Sequence, residues 1–416
     1  MNLDSITKNI DPVISHILNR VIDGNPISED ETIELFNSKG IELNFIVIVA
    51  NHLCKRKKRD IVTYVINRNI NFTNVCIKRC GFCAFSRDFR EEEGYSLPIE
   101  EIVRRAKEAE KFGATEVCIQ AGLPPRMNGM LYVDICKAIK KEIPDIHIHA
   151  FSPEEILYGA KRSNTSVIDY LKMLKEAGLG SIPGTAAEIL DQEIRDKISP
   201  GRISVEEWIK VIKCAHLLGI KSTSTIMYGH IESYKHITTH LNILKNIQKE
   251  TKGFTEFVPL SFVHSEAPMY NRNLIDGIRN GPTGVEVLKM HAIARIFFNN
   301  QIDNIQISWV KEGPRMGQIL LEAGANDFGG TLINESISTS AGASFGQLLK
   351  PKVIRNIIHT LGKIPAQRLS NYQIIKTYSN ADYFDDDLLD ISDSQDFGSY
   401  KELIKMDRFR FKKTNV

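Results

Sequence analysis

From about residue 70 to residue 330 one pattern recurs: a short β-rich segment, a loop, then an amphipathic helix. The β-rich segments fall at Asn71–Val75, Glu116–Gln120, Ile146–Phe151, Leu179–Pro183, Lys221–Met227, Glu256–Leu260, Asn304–Ile307 and Ala323–Phe328. Between the first two, Ile99, Ile102, Val103, Ala106, Ala109 and Phe112 recur at helical spacing and predict one apolar face. Ser152-Pro153-Glu154-Glu155 has the order of a helix start: a capping serine, proline at the first turn, then a glutamate reaching back. Ser28 with Glu31 and Ser204 with Glu207 have capping-box spacing. Alternating strands and helices in this number predict an α/β fold, a (β/α)8 TIM-type barrel, complete or partly open. A doubly wound sheet would ordinarily need fewer units and a glycine-rich loop after its first strand, where this chain carries cysteines.

The barrel is expected over residues 71–330, after an N-terminal helical segment over residues 1–70. Residues 331–378 are expected to cover the barrel, and residues 379–416 to form a charged tail. That tail is acidic from Asp382 to Asp396 and basic from Lys401 to Lys413, as in an appended helix or loose end. The basic run Lys55–Arg59 reads as a solvated helix end. A formal net charge of +2 gives no global field for nucleic acid or a membrane surface. No apolar run approaches the roughly 18 residues of a membrane span, and Met1 to Lys8 lacks the basic-then-apolar layout of a signal peptide. Seven cysteines, three of them within eight positions, suit a reduced metal site better than a disulfide framework, so the cytoplasm is the expected compartment.

Those three cysteines stand as Cys76-Ile77-Lys78-Arg79-Cys80-Gly81-Phe82-Cys83. Thiolates are soft anionic ligands, and one loop with this spacing can grip three corners of an iron–sulfur cube. The fourth iron then has no local ligand, which is the open position a catalytic metal needs. A closed zinc site or an electron-transfer cluster would want a fourth ligand. The remaining cysteines, Cys54, Cys118, Cys136 and Cys214, are scattered.

The C-x3-C-x-aromatic-C spacing, with Phe82 as the aromatic, resembles the signature of the radical S-adenosylmethionine (SAM) superfamily. The resemblance implies a 4Fe-4S cluster on Cys76, Cys80 and Cys83, with SAM chelated at its open iron and cleaved to a 5′-deoxyadenosyl radical. The protein would orient the cofactor and exclude water. It also implies SAM contacts from Phe82, from Gln120 and Gly122 in Ile119-Gln120-Ala121-Gly122, and from Thr185 and Glu188 near the ribose. Thr225-x-Met227-x-Gly229-x-x-Glu232 resembles a motif near the adenine. Ala121 departs from the family's glycine pair, and Thr185 with Glu188 also reads as a turn and cap.

Further segments between about residues 60 and 370, among them His149–Ile156, Ser199–Ser204 and Gly324–Ser338, resemble one subfamily. This is the second subunit of 7,8-didemethyl-8-hydroxy-5-deazariboflavin (FO) synthase, which serves coenzyme F-420 biosynthesis. The resemblance implies cleavage of L-tyrosine and transfer of its 4-hydroxybenzyl group to 5-amino-6-(D-ribitylamino)uracil. The first FO synthase subunit and a low-potential ferredoxin or flavodoxin would be the partners. Losing a hydrogen atom from the tyrosine amine requires it neutral, so a base is sought among His149, His230, Glu256 and His264. Ser308, Asn326, Asp327 and Glu335 are candidates for holding the polyol chain, although Asn326-Asp327 also reads as a turn. Two alternatives compete. One is an aminofutalosine or dehypoxanthine futalosine type radical enzyme. The other is a zinc-dependent barrel hydrolase using His147 and His149, which share one face of a strand.

Overall fold

A computed structural model of the chain describes residues 10–379 and 386–411. Among the described residues three helices come first, Pro12–Ile22, Glu29–Asn37 and Gly40–Lys58. Ser28 and Glu31 form the expected capping box, and the third helix ends in Lys55, Arg56, Lys57 and Lys58, cations that suit a helix C-terminus. Met1 to Lys8 lies outside the described residues.

Strand β1 spans Ile61–Val65 and β2 spans Asn67–Ile70, together one stave interrupted at Ile66. This corrects the expected start of the barrel. Residues 71–75 have left the ladder and keep only single bridges, Thr73 to Ser96 and Val75 to Arg87. The polar run Asn67-Arg68-Asn69 hides the true strand. Arg68 is fully buried, donates to Asn334 Oδ1 at 2.5 Å and pairs with Glu108, so its charge is compensated inside.

Strands β3 (Glu116–Ile119), β4 (His147–Ala150), β5 (Ser181–Ile182), β6 (Lys221–Tyr228) and β7 (Phe254–Ser261) follow β2 in one parallel sheet, each beside its predecessor. Strand β8 (Asp327–Gly330) pairs in parallel with β1. Between β7 and β8 the chain contributes only two parallel bridges, Phe257 to Ile305 and Gln306 to Asp327. These complete a ring of eight staves. The helices Ile99–Lys111, Leu131–Glu142, Val205–Leu217 and Tyr234–Thr251 are among those outside it.

After the helix Pro351–His359, β9 (Ile364–Arg368) runs parallel to β1, and β10 (Ile374–Thr377) returns antiparallel to β9. The turn between them lies under the N-terminal ends of the staves. There Ser370 Oγ donates to Glu116 Oε2 at 2.5 Å, and the Tyr372 hydroxyl meets Glu256.

The described part of the tail is not a loose end. Leu389, Phe397, Tyr400, Leu403 and Phe409 are buried, with Phe397 against Phe112 at 5.1 Å and Tyr400 against Phe85 at 5.5 Å. Asp387 and Asp390 pair with buried Arg355. Apolar anchors spaced singly among acids read as a solvated sequence, yet each finds its own slot. The expected acidic stretch from Asp382 lies outside the described residues as far as residue 385, and the basic one from residue 412 onward. Among the described residues no helix is long and apolar enough to cross a membrane.

Candidate active site within the barrel

A cavity of about 390 Å3 extends from the cysteine loop to the β9–β10 turn. Cys76, Cys80 and Cys83 all line it, and all three are free thiols. Their loop has no regular structure, so neighbours hold its backbone. Cys76 N–H donates to Arg87 O at 3.0 Å, Ile77 N–H to Leu123 O at 2.8 Å, and Gly81 N–H to Ile198 O at 2.8 Å. Met269 N–H donates back to Gly81 O at 2.7 Å. A Cβ on Gly81 would stand 2.8 Å from Met269 Cβ, so glycine is what lets the loop pass there.

Burial raises the Cys76 thiol and pushes the Cys80 thiol up to about 12, while the Arg202 guanidinium works against the burial at both. Arg202 also lies 5.3 Å from the Phe82 ring centroid and pairs with Glu188 at 2.5 Å. Arg202 offsets burial only in part at Cys76 and Cys80, whose pKa values stay raised, and a bound cation would stabilise them further as thiolates. Among the described residues no three His, Cys, Asp or Glu side chains gather at the spacing one ion requires. Three soft thiol donors lining one cavity suit an iron–sulfur cluster, which thiolates hold.

Above β3, Gln120 Oε1 accepts from Thr185 Oγ1 at 2.8 Å, so the structure brings these two expected residues together. Glu155 fixes the Gln120 loop: Oε1 accepts from Ala121 N–H at 3.0 Å, and Oε2 accepts from Ser152 N–H at 2.7 Å. Burial pushes the Glu155 carboxyl up to about 7. Gly122 lines the cavity, but its close approach is to the chain itself, since a Cβ there would lie 2.3 Å from Val75 O. Phe82, Thr185, Glu188, Thr225 and Met227 also line the cavity. Glu232 does not; its carboxylate folds back on Gly229 N–H at 2.6 Å and His230 N–H at 2.9 Å and lines a separate hollow beside Tyr234.

The opposite end of the cavity is polar. His147 Nε2 and His149 Nδ1 each lie 2.7 Å from Ser181 Oγ, so the pair converges on a hydroxyl. Burial lowers His149 to about 4, which keeps its imidazole neutral. Glu256, pushed up to about 7 by burial, faces Tyr372, with Arg368 at 3.6 Å. Ser308 and Glu335 line the cavity, though Glu335 is engaged by Ser338 N–H at 2.9 Å.

Four expected residues are not brought there. His230 bonds within its own turn, its Nε2 lying 3.1 Å from Met227 O, and His264 packs on Tyr270 at 4.6 Å. Asn326 accepts from Arg295 Nη2 at 2.6 Å, and Asp327 binds Arg368 through both oxygens. His230, Asn326 and Asp327 satisfy buried backbone or charge, as buried polar groups commonly do. Arg202, Lys311, Arg368 and Cys118 line the cavity without having been singled out. Arg202 sits within the Ser199–Ser204 segment, the only signal that marked it.

Residues 70–244 match the Radical SAM superfamily, and residues 251–381 match the CofH/MqnC C-terminal region. A 5-amino-6-(D-ribitylamino)uracil–L-tyrosine 4-hydroxyphenyl transferase of Methanocaldococcus jannaschii is 51% identical over 353 residues, covering 84% of this chain and 97% of the relative. The enzyme of the same name from Methanothermobacter thermautotrophicus is 46% identical over 376 residues, covering 90% and 100%. Among solved structures, methylornithine synthase superposes with a TM-score of 0.64 at 18% identity, covering 84% of this chain and 97% of that one. The [FeFe]-hydrogenase maturase HydG superposes at 0.68 with 16% identity, covering 88% and 78%. These two bear on the fold, which they share. The identity to full-length relatives bears on the family: the chain belongs to the 5-amino-6-(D-ribitylamino)uracil–L-tyrosine 4-hydroxyphenyl transferases of the radical SAM superfamily.

Proposed function

We propose that the protein cleaves the side chain of L-tyrosine and transfers its 4-hydroxybenzyl group to 5-amino-6-(D-ribitylamino)uracil. The observation that carries this reading is one cavity joining a three-thiol loop to a polar far end, in a chain related along its length to transferases of that name. Cys76, Cys80 and Cys83 would hold a 4Fe-4S cluster, which with SAM supplies a hydrogen-abstracting radical. The remaining work falls to the chain. Gln120, Thr185, Glu188 and Phe82 would orient SAM, and the enclosing barrel keeps water from reactive species. Glu256 and His149 are the candidate proton acceptors that face the cavity. Glu256, near 7, is matched to neutral pH; His149, near 4, is the weaker base. Ser308 at the cavity wall remains a candidate for the substrates.

The futalosine-type reading is less well supported, because the curated relatives quoted carry the transferase name. The zinc reading loses its pair, because both rings turn to Ser181. The reading implies a second radical enzyme to close the deazaflavin ring and a low-potential ferredoxin or flavodoxin as reductant. Seven free cysteines favour the cytoplasm.

Anaerobic incubation with tyrosine, SAM, reductant and the ribitylaminouracil should give tyrosine-dependent 5′-deoxyadenosine and a hydroxybenzyl adduct by mass spectrometry. Deoxyadenosine without adduct, or turnover of a futalosine-type substrate instead, would remove the proposal. A second expectation concerns Gln120→Leu. Leaving Thr185 and the SAM amine without an amide partner should weaken SAM binding by about 1–3 kcal/mol, as read by equilibrium dialysis. Unchanged affinity takes Gln120 out of the site.

A further inference from the structure

We infer that Lys311, assisted by Ser308, is the anchor for the α-carboxylate of the amino-acid substrate, and that it makes the site select amino acids over the corresponding amines. The inference rests on the transferase reading and adds to it a residue for substrate choice.

Four cations other than histidine line the cavity: Lys78, Arg202, Lys311 and Arg368. Three are committed. Lys78 pairs with Glu154 at 3.2 Å, Arg202 with Glu188 at 2.5 Å, and Arg368 with Asp327 through two hydrogen bonds. Among the described residues Lys311 Nζ has neither a hydrogen-bond nor an ion-pair partner, and the half-buried side chain lines the cavity. The carboxylates that influence it from a distance are already engaged: Glu335 by Ser338 N–H, Glu312 by Ser261, and Glu188 by Arg202. A half-buried ammonium with no direct partner gains a charge-assisted hydrogen bond when an anionic ligand brings one. Burial lowers its pKa while those carboxylates raise it, so an arriving anion would favour the charged form.

Position points the same way. Ser308 and Lys311 are three residues apart where the chain enters the helix Trp309–Leu320, a spacing that places side chains on one face. Both line the cavity, and the Ser308 hydroxyl likewise has no hydrogen-bond partner among the described residues. A charged donor and a neutral donor side by side suit the two oxygens of a carboxylate. Tyrosine carries that group and tyramine, otherwise the same molecule, does not.

The test is equilibrium dialysis of labelled L-tyrosine, with tyramine as competitor, on cluster-loaded protein in the presence of SAM. The variants are Lys311→Met and Lys311→Arg, and SAM affinity is measured alongside. Wild type should prefer tyrosine to tyramine. Lys311→Met should lose about 10- to 100-fold in tyrosine affinity, as for a lost charged hydrogen bond, with tyramine affinity unchanged; Lys311→Arg should keep part of the preference. Equal losses for both ligands, a tyrosine affinity within about twofold of wild type, or a loss confined to SAM would each overturn the anchor. Wild type that converts tyrosine while Lys311→Met keeps its preference removes the anchor alone. Wild type that binds neither ligand removes the transferase reading and the anchor with it.

Discussion

Cys80→Ala is expected to yield a folded barrel that assembles no stable cluster and turns over more than about 100-fold more slowly, beyond the 10- to 100-fold typical of a lost outer-sphere partner. Folding should survive because the loop is held by backbone hydrogen bonds at Cys76, Ile77 and Gly81 rather than by the thiol. Cluster assembly should not. The remaining thiols can serve only two irons, and a binding free energy that depends on deprotonated thiolates falls with each one lost. Cys118 supplies the control. It lines the same cavity from β3, but Gln120 Nε2 lies 3.5 Å from its sulfur. Cys118→Ala should therefore keep its iron. Iron and sulfide assays after anaerobic reconstitution, with far-ultraviolet circular dichroism for the fold, decide the matter. Full iron content and full deoxyadenosine formation in Cys80→Ala would refute the ligand assignment, and iron loss in Cys118→Ala would enlarge the ligand set.

The barrel was legible because its helices carry caps and clean periodicity. Ser152, Glu155, Ser204 and Glu207 mark helix starts where the structure has them. The first stave was not legible, because it buries Asn67 and Arg68 against partners far along the chain. A local pattern carries no trace of such pairing. The seventh stave is so short that a β-rich run at Asn304–Ile307 was all there was to read. At the site, cysteine spacing is a local signal, and Gln120 and Thr185 were reached through resemblance. Arg202, Arg368 and Lys311 are single charges in unremarkable sequence, and only the fold shows that the cavity encloses them. His230 and Asp327 show the converse: chemically able residues that the fold assigns to holding a turn or a strand end.

Arg368→Met should be the most destabilising single change at the barrel's lower end, by about 3–5 kcal/mol, the cost of leaving a buried charge without its partner. Asp327 is wholly buried and receives Arg368 Nε at 2.5 Å and Nη2 at 3.0 Å, while the guanidinium lies 4.1 Å from the Tyr372 ring centroid. Removing the cation strands Asp327 and withdraws the attraction that opposes burial at Glu256. A double variant, Arg368→Met with Asp327→Leu, should recover part of the loss because Asp327 is no longer left as an unpaired buried charge. The pH dependence follows in sign. Folded Glu256 holds its proton up to about 7 against an ordinary value of 4.5, so the native state binds more protons and its stability declines as pH rises between those values. Without Arg368 the Glu256 pKa rises further and the decline should extend to higher pH. Urea-unfolding midpoints of wild type, single and double variants across that range measure both effects. A single variant as stable as wild type, or a double variant that loses more than the single, would show that this ion pair does not hold the floor of the barrel.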